Sequence, residues 1–228
     1  MQRALERTSG DYLLFLQDDA QLVRPIESAD LACIDNFFKR QQQAAFVGPA
    51  FLKGHRRRSI IRQIRPQAEL QGYYQRINER LRPRPVSMYY CDLSIAHVPR
   101  LRAANWQFKE SEGANAAQAR MQFSKMLHMA CPFVMHVPEV PMFRNKQTTL
   151  GARLAARLSG PDVKAFAYVS AAEIEAMRSR PLSVLPFAED FLKVTSANVR
   201  KPFRYNAVSA RLSTRILHKL EMLLKHRR

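Results

Sequence analysis

The sequence of 228 residues predicts an α/β fold, in which a mixed sheet with flanking helices is followed by a helical C-terminal extension. The first observation is a wholly apolar run at residues 12–16, which follows a helical segment and is typical of a strand buried in such a sheet. The second is an alternation of further strand-like and helical patterns as far as Phe143. The third is a polar, helical pattern beyond that residue. We therefore predict an α/β domain over residues 1–145 and a helical extension over residues 146–228.

The individual elements are predicted from the period of the apolar residues and from the residues that interrupt it. Helices are expected where apolar residues recur every three to four positions, and strands where short apolar runs end at glycine, proline or acidic residues. The predicted helices cover residues 2–8, 28–43, 67–81, 113–130 and 207–225, and the predicted strands cover residues 12–16, 45–49, 86–98 and 133–137.

The composition favours a folded protein with a substantial core. Hydrophobic residues make up 46% of the chain, which argues against wholesale disorder. No apolar run approaches the roughly 18 residues that cross a bilayer, and the first residues lack the apolar segment of a signal peptide, so we expect a cytoplasmic protein. Cys33, Cys91 and Cys131 are far apart and form no Cys-x-x-Cys pair. Neither a structural zinc site nor a disulfide framework is therefore predicted.

The charge of the chain is large and unevenly placed. Lys and Arg number 37 against 19 Asp and Glu, which gives a net charge of +18. Residues 53–84 hold ten basic and two acidic residues, and residues 200–228 hold nine basic residues and one acidic residue. These two blocks carry sixteen of the eighteen excess charges. Two localised basic blocks indicate two surfaces that meet anionic partners.

Polar residues follow the first predicted strand directly. Gln17, Asp18 and Asp19 come at its carboxyl end, which is where open α/β sheets bind their ligands. Carboxylate oxygens are the ligands that Mg²⁺ and Mn²⁺ prefer, and these ions share their coordination with substrate phosphates. A divalent-metal site is therefore one interpretation of these residues. The alternative is that Asp18 and Asp19 only cap the turn that leaves the strand.

The order of these segments resembles that of the family-2 glycosyltransferases, which have the GT-A fold. The resemblance lies within residues 1–145 and is carried, in order, by SGDYLLFLQDDAQLVRP, AAFVGPAF, YYCDLSIAHVPRLRAANWQF and FVMHVPEVPMFR. It implies transfer of a sugar from a nucleotide-diphosphate donor to a hydroxyl acceptor, with inversion at the anomeric carbon. It also implies a Mg²⁺ or Mn²⁺ ion held by Asp19, with Asp18 beside it at the metal or at the ribose. Gln17 stands where the family has its first acidic residue, and a neutral amide binds a dication less strongly.

The catalytic base is a second departure from the family pattern. The family places a Glu-Asp pair at the start of the helix after the acceptor segment, where it deprotonates the attacking hydroxyl. Glu112 is the first candidate for that base here and Glu110 the second, and neither belongs to such a pair. The alternative is that both are solvated acids, which are favourable at a helix start. His128 and His136 are interpreted as packed histidines, not as metal ligands.

The resemblance covers only part of a GT-A domain, because the chain begins at the helix that precedes the first predicted strand. The family opens with strands and helices that bind the base and ribose, about 60–80 residues by the size of two βαβ units. We therefore expect the strand at residues 12–16 to lie at an unpaired edge of the sheet. A mis-assigned start codon, a truncated gene and a short protein completed by another subunit would each explain this start. Each of them puts the activity of the isolated chain in question.

The basic block at residues 53–84 leaves a different class of function open. Its His-Arg-Arg-Arg run at residues 55–58 and its Tyr73-Tyr74 pair would suit a non-catalytic protein that binds nucleic acid or an anionic surface. No zinc-finger, RNA-recognition or basic-zipper signature is present. Nucleic acid is therefore not the expected partner.

The last predicted helix, at residues 207–225, is amphipathic and basic. Its apolar residues recur every four positions, at Val208, Leu212, Ile216, Leu220 and Leu224. One interpretation is a helix packed on its own domain, with cations placed favourably at its C-terminus. The other is an in-plane helix whose apolar face enters the headgroup boundary of an anionic membrane. The second interpretation fits a lipid-linked acceptor and a peripheral position on the inner face of the membrane.

Overall fold

The structure, a computed structural model, describes residues 1–17, 20–54, 57–76, 80–81, 84–85, 93–136, 149–151, 153–154, 166–195 and 212–225. The helices are α1 Gln2–Arg7, α2 Ser28–Arg40, α3 Arg57–Gln63, α4 Val98–Ala103, α5 Glu112–Gln122, α6 Ala171–Ser179, α7 Ala188–Phe191 and α8 Leu212–Lys225. The strands are β1 Tyr12–Phe15, β2 Ala20–Leu22, β3 Ala44–Gly48, β4 Ile64–Gln67, β5 Gly72–Arg76, β6 Arg80–Leu81, β7 Arg84–Pro85, β8 Ser94–His97, β9 Lys125–Met129 and β10 Val134–His136.

Six of the strands form one mixed sheet, in the order β1-β8-β3-β9-β5-β4. β3 and β9 pair in parallel, and the other pairs are antiparallel. Strands β10 and β2 form a separate antiparallel pair, and so do β6 and β7. An α/β fold with a mixed sheet and flanking helices is therefore confirmed.

The first strand occupies the edge of the large sheet. Within the described ranges β1 pairs with β8 alone, as expected for an unpaired edge. The prediction of a fully buried strand over residues 12–16 is wrong in two respects. The strand ends at Phe15, and Tyr12, Leu13 and Leu14 are only half-buried, because an edge strand has a neighbour on one side. Leu16 lies beyond the strand and is 44% exposed.

Helices cover both faces of the sheet, and alternating side chains of the inner strands reach them. Phe46 and Met126 point to the face where α1, α4 and α5 supply Leu5, Leu101 and Ala119. The next residues along the same strands, Val47 and Leu127, pack on the opposite face against α2, through Ile34 and Phe37. The result is three layers, with the sheet in the middle.

Two predicted helices are replaced wholly or in part by strands. Residues 67–81 contain the end of β4, a 3-10 turn at Ala68–Leu70 and β5 rather than a helix. The predicted helix at residues 113–130 ends at Gln122, and the residues after it form β9. In both places pairing is the physical reason, since β9 lies between β3 and β5 and all its residues but Lys125 are buried. A helix in place of β9 would leave the facing edges of β3 and β5 without a hydrogen-bonded neighbour.

The segment 166–195, which the sequence places in the C-terminal extension, contributes to the core at the carboxyl end of the sheet. Phe166, Ile174 and Met177 are buried in one cluster with Val23 and Met135. A backbone hydrogen bond joins the same two parts of the chain, since the N–H of Val169 donates to the carbonyl of Val23. These residues therefore support β2 and β10 from outside the large sheet.

No helix in the described part of the chain is long and apolar enough to cross a membrane.

Candidate functional site

The carboxyl ends of three strands meet at one edge of the large sheet. β1 and β3 both run antiparallel to β8, so they point the same way, and β9 is parallel to β3. Gln17 lies just beyond the end of β1, and Lys53 lies beyond the end of β3. This is the edge at which α/β sheets bind their ligands.

A chain of polar contacts joins four distant segments at this edge. The Nζ of Lys53 lies 3.0 Å from Nδ1 of His136, and Nε2 of His136 lies 3.1 Å from Oε1 of Gln17. Gln17 in turn donates from Nε2 to Oε1 of Glu112, over 3.0 Å. The contacts therefore run without a break from a cation, Lys53, to a carboxylate, Glu112.

The direction of these hydrogen bonds follows from what each group can donate. An ammonium group only donates, so Nδ1 of His136 accepts from Lys53 and the ring proton is assigned to Nε2. His136 then donates to the amide oxygen of Gln17, which leaves the amide nitrogen of Gln17 to donate to Glu112. Burial of His136, and then the charge of Lys53, lower the pKa of the imidazole from 6.5 to about 3. The ring is therefore neutral at physiological pH, as this pattern requires.

Glu112 is the first residue of α5, and the local sequence defines that position. Ser111 caps the helix, since its Oγ accepts from the N–H of Ala114. A carboxylate in the first turn is favoured by the positive end of the helix dipole. Glu112 is exposed, and its Oε1 accepts the hydrogen bond from Gln17.

The position of Lys53 is set by the short helix α7. Leu52 forms a bridge with Phe187, and the N–H of Gly54 donates to both carboxylate oxygens of Glu189, over 3.0 and 2.9 Å. A Cβ at position 54 would lie 2.6 Å from the carboxylate of Glu189, so a larger residue here would displace that carboxylate. The buried Lys53 is therefore held between β3 and the segment 166–195.

The position of His136 is set by a buried ion pair next to β10. Arg24 donates to both carboxylate oxygens of Asp30, over 2.7 Å each. The same guanidinium donates to the carbonyls of Cys131 and Pro132, which lie in the connection between β9 and β10. Through these bonds Arg24 fixes the entry into the strand that ends at His136.

Of the predicted site residues, Glu112 lies in this chain of contacts and Glu110 is exposed at the approach to α5. Asp18 and Asp19 lie outside the described residues, directly after Gln17. Among the residues that the structure describes, no three His, Cys, Asp or Glu side chains are grouped so as to hold a metal ion. The amide oxygen of Gln17, which the resemblance aligns with an acidic residue, accepts from His136. A metal bound as the resemblance implies would have Asp19 as its carboxylate ligand, with Asp18 beside it.

Lys53 was not predicted as a site residue, and His136 was predicted only as a packed histidine. Lys53 and His136 are both buried, so each also contributes to packing. His128, the other predicted packed histidine, is buried and contacts Gln75. His136 differs in that it ends a strand beside Gln17. Its place at the carboxyl end of a predicted strand was the one signal that distinguishes it from His128. Lys53 gave none, because a buried lysine looks like any other member of a basic block.

The alternative function, binding of nucleic acid through the basic block at residues 53–84, loses support because some of its residues are buried or paired. Tyr73 is 1% exposed and donates from its hydroxyl to the carbonyl of Val184, so it does not stack on a base. Arg57 pairs with Asp190 and lies 4.1 Å from the ring centre of Phe187. Residues 55 and 56 of the same run lie outside the described residues. At least one cation and one aromatic of that surface therefore serve the fold.

Acidification is expected to destabilise the protein through its buried histidines. Burial lowers the pKa of His128 from 6.5 to about 4, and that of His136 is about 3. An unfolded histidine takes up a proton below about pH 6.5, whereas these two stay neutral in the folded state. The stabilisation is complete above that pH and falls as the pH drops toward the folded pKa, by up to about 1.4 kcal/mol per pH unit for each histidine.

Urea unfolding followed between about pH 7 and pH 5 measures this slope. His128→Gln replaces one of the two histidines with a neutral hydrogen-bonding side chain, so its stability is expected to fall less steeply with pH. An unchanged slope in His128→Gln would show that the ring of His128 takes up its proton in the folded protein as readily as in the unfolded one.

Comparison with family models, with curated proteins and with solved structures gives no match for this chain.

Proposed function

We propose that this protein is a glycosyltransferase of the family-2 type, which transfers a sugar from a nucleotide-diphosphate donor to a hydroxyl acceptor. The observation that carries the proposal is the hydrogen bond between Gln17 and Glu112. It puts the carboxylate at the start of α5 beside the end of β1, although 95 positions separate the two residues in sequence. The resemblance implies this juxtaposition, because it assigns the donor site to the end of β1 and the base to the start of the helix after the acceptor segment.

The proposed role of Glu112 is that of general base. One oxygen of Glu112 accepts from Gln17, and the other takes the proton of the acceptor hydroxyl. The acceptor oxygen then forms a bond to the anomeric carbon from the face opposite the leaving group. The bond from that carbon to the diphosphate oxygen breaks, and its electron pair leaves with the nucleoside diphosphate. The proton remains on Glu112, and the anomeric centre is inverted.

The chain of contacts behind Glu112 would keep the base oriented. Because Nε2 of His136 donates to Gln17, the amide of Gln17 has one favoured orientation, with its nitrogen toward Glu112. Lys53 fixes the tautomer of His136 in turn. Orientation of a catalytic group by such a succession of hydrogen bonds is the usual way in which a base is held for attack.

The proposed cofactor is Mg²⁺ or Mn²⁺, with Asp19 as its ligand and Asp18 beside it. When bound, such an ion neutralises the charge that develops on the departing diphosphate. Carboxylates suit these ions.

Calorimetric titration with UDP and GDP, in the presence of Mn²⁺ or of EDTA, tests the donor site. We expect binding that requires Mn²⁺ and falls by at least about tenfold in Asp19→Ala, because one carboxylate ligand is lost. Asp11→Ala is the matched control, since Asp11 is an exposed aspartate just before the opposite end of β1. Equal binding in Mn²⁺ and in EDTA, or equal loss in the two variants, would remove the metal site from the proposal.

A further inference from the structure

The apolar stripe of α8 is exposed. Its members recur at helical spacing on one side of the helix and are between 49% and 72% exposed: Leu212, Ile216, Leu220, Leu223 and Leu224. A helix packed on its own domain buries such a stripe. The exposed stripe of α8 therefore argues against a helix that packs its apolar face on its own domain.

The polar side of α8 is what contacts the protein. Nδ1 of His218 lies 2.9 Å from the hydroxyl of Thr149, and both oxygens of Glu221 accept backbone N–H groups, from Leu150 and Gly151. These bonds hold the helix through the face that faces away from the stripe. The fold thus anchors α8 by hydrogen bonds and turns its leucines outward.

The segment that α8 contacts carries exposed leucines of its own. Leu150 is 61% exposed and Leu154 is 42% exposed, and both lie in the helical turns that Glu221 binds. Exposed apolar side chains that are grouped like the stripe of α8 mark a surface that interacts with another apolar phase or partner.

The charge of this region identifies the partner. Residues 212–228 contain five Lys and Arg against one acid, Glu221, and that acid is occupied by the backbone of Leu150 and Gly151. An apolar face with basic residues beside it complements a surface that is anionic outside and apolar beneath. We propose that α8 lies in the plane of a bilayer that contains anionic lipid, with its leucine stripe in the headgroup boundary. This inference is independent of the proposed sugar transfer.

Flotation of the full chain with vesicles of phosphatidylcholine alone, or with 30% phosphatidylglycerol, tests the proposal. We expect the protein to float with the anionic vesicles and to remain behind with the neutral ones, where the electrostatic attraction is absent. The double substitution Leu220→Glu with Leu223→Glu is expected to reduce the bound fraction by at least about tenfold, because it puts two carboxylates into the stripe.

Leu31→Glu is the matched control, because Leu31 is an exposed leucine on α2, away from this surface. It is expected to float like the wild type. The fluorescence of Trp106, which is buried, verifies that each variant is folded. Equal flotation with both kinds of vesicle, or an unchanged bound fraction in the double variant, would overturn the proposal. So would a dimer of the wild-type chain that the double substitution dissociates, with no binding to vesicles, since the stripe would then be a protein interface.

Discussion

Arg24→Met is expected to lower the free energy of unfolding by about 3–5 kcal/mol, the range found when one partner of a buried ion pair is removed. The guanidinium of Arg24 is 0% exposed and the carboxylate of Asp30 is 3% exposed. Methionine fills most of the same volume, so the loss does not come from a cavity. It comes from a buried carboxylate that loses its two shortest hydrogen bonds, and from two carbonyls, those of Cys131 and Pro132, that lose their donor.

The fluorescence of Trp106, the only tryptophan of the chain, reports the unfolding transition in urea. Trp106 is buried against Phe46, Phe108 and Phe123, so the transition exposes it to water. The matched control is Arg40→Met, which removes an exposed ion pair with Glu69 and is expected to cost less than about 1 kcal/mol. Equal losses in the two variants would show that Arg24 does not hold the connection before β10 in the way described.

The parts of the fold that the sequence predicted well are those whose pattern is local. The helix α2 and the strands β3 and β10 lie close to their predicted positions, because each follows from a run of apolar residues next to a clear break. The edge position of β1 followed from the resemblance. The incomplete burial of β1 could not be predicted, because an apolar run such as residues 12–16 looks the same at the edge and in the centre of a sheet.

The parts that the sequence did not predict depend on distant partners. β9 has the composition of a helix continuation, and only its place between β3 and β5 makes it a strand. Among the four residues in the chain of polar contacts, Glu112 was predicted as the first candidate for the base. Its contact with Gln17, and the roles of His136 and Lys53, depend on three further segments meeting at one edge, which no spacing in the sequence encodes.

Glu112→Gln is expected to lower the rate of sugar transfer by about 10²–10⁴-fold, the usual contribution of a positioned general base. The substitution keeps the size of the side chain and its place at the start of α5, and it removes the ability to take a proton from the acceptor hydroxyl. Binding of UDP or GDP with Mn²⁺ should not change, because Glu112 does not contact the diphosphate in the proposed mechanism. A loss confined to turnover separates a base from a residue that only supports the fold.

Glu110→Gln is the matched control for that result. Glu110 is also an exposed glutamate at the approach to α5, two positions before Glu112, and it was the second candidate for the base. Its turnover is expected to stay within about twofold of the wild type, since such a small ratio corresponds to less than 1 kcal/mol of transition-state stabilisation.

Sugar transfer by this protein is measured as the Mn²⁺-dependent release of UDP or GDP from UDP-glucose, UDP-N-acetylglucosamine and GDP-mannose, with water or glycerol as the hydroxyl acceptor. We predict release by the wild type and by Glu110→Gln, and release slowed by about 10²–10⁴-fold in Glu112→Gln. Wild-type turnover in Glu112→Gln would remove the base from this account. Absence of Mn²⁺-dependent release by the wild-type chain from all three donors would contradict sugar transfer by this chain on its own.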